Sequence, residues 1–413
     1  MSRGDENPGP GDAIGVLPAP QPGTAHGVVL LAAAIMPIMA ITGLIPVLPA
    51  LMREFGDVPG SAMLVPIALT VPALCVALFS PLAGVLSDRI GRKNLLVGAL
   101  IVYGMVGFLP WFLTDLTAII AARVVLGVNE AIIMTLSTTL IGDYFEGARR
   151  QRWISLQIAV GSLSATFLLA AGGILGDALG TRGPFLLYLS AFGVALAAAI
   201  VLHEPDFTQR LRDQIAGGRR SFAAIVPLAI VTAGVGIAFY SVLVQIGPIL
   251  EMSGQVSAGT VGLIGALANL GVVSGSIVYR WLNHLTGPVL LALGLLVTAA
   301  GYAGVGLSEG IVPVSTFAII ACFGSGILLP NLLSWTMSKL PAAMRGRGMG
   351  LWTGAFFLGQ FIAPLLTGAL SGPMGGLDAV IRAMAAVITI AAFGSALLAY
   401  RQHSANLTRM NEG

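Results

Sequence analysis

The sequence predicts an all-α membrane protein: twelve transmembrane helices arranged as two pseudo-symmetric six-helix bundles. Three observations carry that expectation. First, the 413 residues are 56% hydrophobic and only 9% charged, with a mean hydropathy of +0.91; soluble domains carry about 25% charged residues. Second, apolar runs of the roughly 20 residues needed to cross a bilayer recur along the chain. Third, Lys and Arg gather on one side of those runs. The net charge of +3 therefore serves topology and is no sign of nucleic-acid binding.

In chain order the expected span cores are 27–50, 61–86, 94–113, 117–141, 153–176, 183–202, 222–249, 257–279, 287–307, 311–337, 348–370 and 378–400. Residues 1–26 are rich in Pro and Gly, carry Asp5, Glu6 and Asp12, and lack the apolar core of a secretory signal. They read as a disordered cytoplasmic tail. Most runs are free of charge. The fourth is broken by Arg123 and Glu130, and the ninth by His284 near its start. Gly and Pro within the runs mark close helix contact and bending. With the N-terminus in the cytoplasm, that side holds seventeen of the 21 Lys and Arg. Arg53 and Arg182 fall outside, and Arg123 and Arg382 fall within spans. Both termini are then cytoplasmic, in a multi-pass protein of the cell inner (plasma) membrane. Cys75 and Cys322 lie in apolar runs and read as buried thiols.

The longest internal loop divides six spans from six. It gives bundles at 27–203 and 222–400, a cytoplasmic linker at 204–221 and a C-terminal tail at 401–413. The two halves look like copies of one unit. Gly275–Arg280 follows the eighth span as Gly84–Arg89 follows the second, and Lys339–Arg345 parallels Asp143–Arg149. Transporters built from such repeats bind substrate near the midplane and rock one half against the other.

The densest charge cluster joins spans 2 and 3: Gly84-Val85-Leu86-Ser87-Asp88-Arg89-Ile90-Gly91-Arg92-Lys93. So many ions belong at a water interface. The pattern G-x-L-x-D-R-x-G-R-K resembles the corresponding loop of the major facilitator superfamily of transporters. Gly43-Leu44-Ile45-Pro46-Val47-Leu48-Pro49 resembles that family's proline-rich first-helix motif, Arg123-x-x-x-Gly127 its fourth-helix motif, and Asp143-Tyr144-Phe145 with Arg149 and Arg150 its loop 4–5. The resemblance implies that Asp88 caps the start of span 11, with Arg89 and Arg92 as ion-pair partners, in a cytoplasmic gate made of Gly84, Asp88, Arg89, Gly91, Arg92, Lys93, Asp143 and Arg149. It also implies a cavity lined by spans 1, 4, 7 and 10. The residues there are Met36, Met39, Thr42, Glu130, Met134, Phe239, Tyr240, Gln245, Asn331 and Trp335, flanked by Gln157, Asn269 and Gln360. Such a Met- and aromatic-rich, charge-poor lining suits an amphiphilic substrate. One departure stands in span 5: Leu168-Leu169 occupies the place of the Gly-Pro found in many proton antiporters of the family, although Gly172-Gly173 is kept. Gly172 and Gly176 form a small-residue face for helix packing.

Glu130 is the one carboxyl in the middle of a span, a functional candidate by position alone. Arg123 precedes it by seven residues, about 10 Å along the axis and on nearly the same face. The pair is the candidate for proton coupling, against the plainer reading of a structural ion pair. Asp378 and Arg382, four apart, read as a local ion pair. No metal-ligand spacing exists among His26, His203, His284 and His403, and no phosphate-cradling loop is present. Gly306-Leu307-Ser308-Glu309-Gly310 matches a hydrolase nucleophile pattern but falls on a turn between helices, without the strand that pattern needs. The expectation is therefore no enzyme and no cofactor. The sequence points to a monomeric, proton-coupled secondary transporter exporting a small amphiphilic molecule. Uptake of a small metabolite is the alternative, and a non-transporting sensor or scaffold a lesser one.

Overall fold

The computed structural model describes residues 22–205, 225–252, 254–340 and 345–411, all helix, turn or coil. Span 1 runs Thr24–Thr42, tightens into a 3-10 turn at Ile45–Val47 and resumes as Leu48–Glu54. Pro46 and Pro49 lack the amide hydrogens that an unbroken α-helix needs there. Spans 2 to 5 are Ser61–Ile90, Arg92–Phe108, Leu116–Tyr144 and Gly147–Leu179. Span 6 starts as a 3-10 stretch, Gly180–Leu189, and continues as Ser190–Val201. Span 7 is broken like span 1, into Val226–Leu243 and Ile246–Glu251. Spans 8 to 12 are Ala258–Leu282, Gly287–Leu307, Ile311–Ser338, Arg345–Met374 and Leu377–Asn411.

Eleven helical stretches among the described residues are long and apolar enough to cross a membrane. The longest, Gly147–Val201, has 55 residues and holds two spans. Gly180, at φ +72°, ends the first of them, in a conformation that side chains with a Cβ resist. Side-chain caps fix two other starts: Asp115 accepts from the Ala118 amide at 2.7 Å, and Ser257 from the Thr260 amide at 3.1 Å.

The expected span boundaries lie within a few residues of these helices, with two differences at the tails. Helix begins at Thr24, inside the segment assigned to the N-terminal tail, and the rest of that tail (1–21) lies outside the described residues, as does most of the 204–221 linker. At the other end helix continues through residues 401–411, a stretch that the sequence reads as tail. Arg401–Asn411 contains no Gly or Pro to stop it.

Spans 1–6 pack on one another and spans 7–12 likewise. The two sets meet along two seams, span 5 with span 8 and span 2 with span 11. Exchanging each span for its counterpart in the other half (5 for 11, 8 for 2) turns one seam into the other, as a duplicated unit requires. The 5–8 seam is a backbone-to-backbone contact. A Cβ on Gly173 would sit 2.7 Å from the Ala258 carbonyl oxygen and 3.0 Å from Gly262 Cα. Asn269 donates across the same seam to the Ser162 carbonyl and Thr166 hydroxyl, each at 2.9 Å. At the end away from the described termini, the far end, Arg53 is paired with Glu251 and Ser257 donates to Asp177 at 3.2 Å. There the broken parts of spans 1 and 7 touch, Gly247 against Pro49. These ties between the sets run from the far end to the middle of the bundle.

Candidate functional site

Arg123 is 1% exposed and spreads its donors over three other helices. Nε donates to the Ala68 carbonyl at 2.9 Å and Nη1 to the Tyr188 hydroxyl at 2.5 Å. Nη2 donates to the carbonyls of Ala40 and, at 3.3 Å, Leu69. Two of these acceptors are carbonyls that their own helices have released. The residue four beyond Ala68 is Pro72, which has no amide hydrogen. The residue four beyond Ala40 is Leu44, whose amide bonds Ile41 instead at the break in span 1. A membrane helix can carry such breaks only if a neighbour satisfies the freed groups. The guanidinium, with five N–H in a planar fork, does so for two helices at once.

Glu130 sits two turns further along span 4, 2% exposed. It makes no ion pair and no hydrogen bond among the described residues, and its Oε2 is fully enclosed. Arg123 and Glu130 are thus close in the fold without being paired. The carboxyl lies within electrostatic reach of Cys75, Tyr103 and, on span 7 of the other bundle, Tyr240.

The other cavity candidates fall into two groups. Met36 and Met39 are buried against span 6, with Ser190 Oγ 4.0 Å from each sulfur. Thr42 bonds the Ile38 carbonyl at 2.7 Å. Asn331 donates to the Gly287 carbonyl at 3.0 Å, and the Trp335 ring covers Gly287, both contacts within the second bundle. Gln245 is tied to Thr367 at 2.7 Å. Met134 is half-buried. Phe239 and Tyr240 instead belong to an aromatic array shared with span 11, their rings 6.2 and 5.4 Å from that of Phe356. Among the flanking residues, Gln157 bonds Thr138 at 3.2 Å, and Gln360 is 3% exposed with its Oε1 unpartnered.

The segment 84–93, which the sequence reads as a loop, is the last turns of span 2 and the start of span 3, with the chain turning at Gly91, φ +97°. Arg92 forms a nearly buried ion pair with Asp143 at the end of span 4. Glu204 accepts from the Arg92 amide and, at 3.0 Å, the Lys93 amide, so a carboxylate caps span 3. Arg149 lies over the Phe145 ring at 4.9 Å, and Gly84 and Arg89 remain open to their surroundings. The Asp88 side chain and residues 341–344 lie outside the described residues, so the expected latch to span 11 does too. Beside this loop the fold unites His26 Nε2 and His203 Nδ1 at 3.3 Å, both rings against Tyr144. Sequence spacing hid that cluster, since 177 residues separate the two histidines. Asp378 and Arg382 are paired at 2.8 Å, as their spacing suggested.

The comparisons with known proteins agree with this architecture. Enterobactin exporters EntS of Shigella boydii serotype 18 and Escherichia coli O81 are each 28% identical to the chain over 326 residues, covering 75% of it and 76% of the relative. Among solved structures, a bacterial homolog of the human lysosomal transporter Spinster, inward-facing and occupied, superposes with a TM-score of 0.72 at 16% identity, covering 92% of this chain and 97% of that one. The POT family transporter PepTSo gives 0.70 at 14%, covering 92% and 98%. These structural likenesses speak for the fold. A family model, Major Facilitator Superfamily, matches residues 30–364. With twelve spans, two seams related by a duplication and a match over most of its length, the chain belongs to the Major Facilitator Superfamily of membrane transporters.

Proposed function

We propose that the protein exports a small amphiphilic molecule by alternating access, driven by the proton gradient through Glu130. The observation that carries the reading is the Glu130 carboxyl itself: enclosed and unpartnered in the middle of span 4. An ionisable group inside a membrane bundle marks an ion or substrate pathway. Its protonation is tied to which side water can reach it from. The similarity to enterobactin exporters supports export over uptake. In this reading the far end is closed and the end bearing the termini is open to the cytoplasm. Thr138 and Gln157, polar and bonded to each other at an exposed site on spans 4 and 5, fit a wet opening better than a lipid-facing surface. The protein works as a monomer in the bacterial inner membrane, with both termini cytoplasmic.

The test is drug- or dye-driven efflux from proteoliposomes across an imposed pH gradient, comparing wild type with Glu130→Gln. The expected result is that the variant still exchanges substrate between equal pools but no longer responds to the gradient. Gradient-driven transport that survives in Glu130→Gln rules the assignment out.

A further inference from the structure

Positions four apart on a helix lie one above another, which puts Trp352, Phe356 and Gln360 of span 11 on one face. The Trp352 and Phe356 rings are stacked, centroids 5.8 Å apart with 7° between planes. Phe356 extends the array to Tyr240 of span 7 at 5.4 Å. Ordinary core packing explains stacked rings but not the idle polar groups among them. The Trp352 indole nitrogen and Gln360 Oε1 are enclosed without a partner. Gln360, 3% exposed, makes no hydrogen bond to any described residue, and neither does the Tyr240 hydroxyl. Enclosed polar groups are nearly always bonded in folded proteins, so unbonded ones ask for a missing partner. One donor and one acceptor, set along a half-buried aromatic wall shared by spans 7 and 11, is the pattern of a small-molecule site.

We infer that Trp352, Phe356 and Gln360 set substrate specificity, selecting a planar aromatic compound that carries both a hydrogen-bond donor and an acceptor. Its ring packs on Phe356 and Tyr240. Its donor, a phenol O–H or amide N–H, meets Gln360 Oε1, and its acceptor meets the Trp352 indole N–H. The inference rests on the transport reading above only in taking this ligand as cargo.

The test uses the purified full-length protein and a matched pair of probes, 6-hydroxy-2-naphthamide and 4-hydroxycyclohexanecarboxamide, with binding followed by calorimetry. Wild type is expected to prefer the aromatic probe by at least about tenfold. Phe356→Leu should reduce that preference by about three- to tenfold, the usual worth of an aromatic pair. Trp352→Phe, which keeps the ring, and Gln360→Met should each weaken aromatic-probe binding by about three- to tenfold, as losing one hydrogen bond does. Should Phe356→Leu fail to fold, the two milder variants decide. No binding of the aromatic probe by wild type, or equal affinities in the folded variants, overturns the inference. The Glu130→Gln transport assay separates the two readings. If its gradient response persists while aromatic preference follows Phe356 and Gln360, proton coupling through Glu130 fails and the specificity assignment stands. The reverse pattern rejects the specificity assignment alone.

Discussion

Arg123 gives the sharpest test of how the first bundle is held together. In Arg123→Met the side chain is unbranched and apolar, stops short of the guanidinium and loses every donor. Four hydrogen bonds disappear, to Ala40, Ala68, Leu69 and Tyr188. Each hydrogen bond within a membrane bundle contributes roughly 0.6–1.7 kcal/mol. The Ala40 carbonyl keeps the Tyr188 hydroxyl at 3.2 Å, but the Ala68 carbonyl, released by Pro72, is left without a donor. The expected loss is about 3–4 kcal/mol, several bonds at the middle of that range. For a large domain that corresponds to a fall in apparent Tm of roughly 5–10 °C. Arg123→Lys should fall between wild type and Met, because one ammonium cannot reach carbonyls on two helices in the geometry of the fork. Cys75 and Cys322 are both buried and free, so a thiol-reactive fluorophore reads unfolding in detergent without new labels. If Arg123→Met melts like wild type yet loses gradient-driven transport, the residue acts in coupling and does not brace the bundle.

Gly173→Val places a branched side chain against the Ala258 carbonyl, 2.7 Å from its Cβ, and backbone cannot retreat as a side chain can. It should cost about 1–3 kcal/mol and speed alkylation of a cysteine placed at Arg53, where the far end is tied shut. The double variant Arg53→Cys, Glu251→Cys, joined by a short bifunctional thiol reagent, should arrest transport, and reduction of a cleavable linker should restore it; unaltered transport would mean the far end never opens. Glu204→Gln removes the carboxylate at the start of span 3 and should destabilise that helix end by about 0.3–1 kcal/mol, seen as faster amide exchange at residues 92–95.

The helices were legible because lipid imposes a length and a polarity on every span, and long uncharged runs such as 311–337 admit few other readings. The breaks in spans 1 and 7 were legible only in part. Pro46 and Pro49 flag the first; Pro248, which has no amide hydrogen for the Val244 carbonyl, flags the second, at Val244–Gln245, but does not say how the chain turns there. Glu130 could be singled out because one carboxyl in an apolar run is conspicuous. Its relation to Arg123 was not readable: seven-residue spacing puts two groups on one face, but whether they bond depends on which carbonyls the neighbouring helices have released, and those are set by Pro72 and by the turn after Thr42. Trp352 and Phe356 carry no signal in the sequence for a similar reason. Aromatic residues on a span are usually lipid-facing or core, and only the unbonded polar atoms beside them, visible in three dimensions, set these apart.

The distribution of contacts between the two bundles bears on how such a protein can move. The 5–8 seam is built from glycine backbones and a single asparagine with two bonds, and the far end is tied by the exposed Arg53–Glu251 pair and a hydroxyl–carboxylate bond. Exposed ion pairs contribute about 0–1 kcal/mol each. Flat glycine surfaces do not interlock as large side chains do, so parting them leaves few cavities. Within each bundle the ties are of another kind: a guanidinium bridging three helices and buried tyrosines bonded to backbone. The weak contacts therefore lie where the bundles must separate and the strong ones where they must stay rigid. A few kcal/mol of difference in how a ligand or proton binds the two states is enough to move a two-state equilibrium from one side to the other.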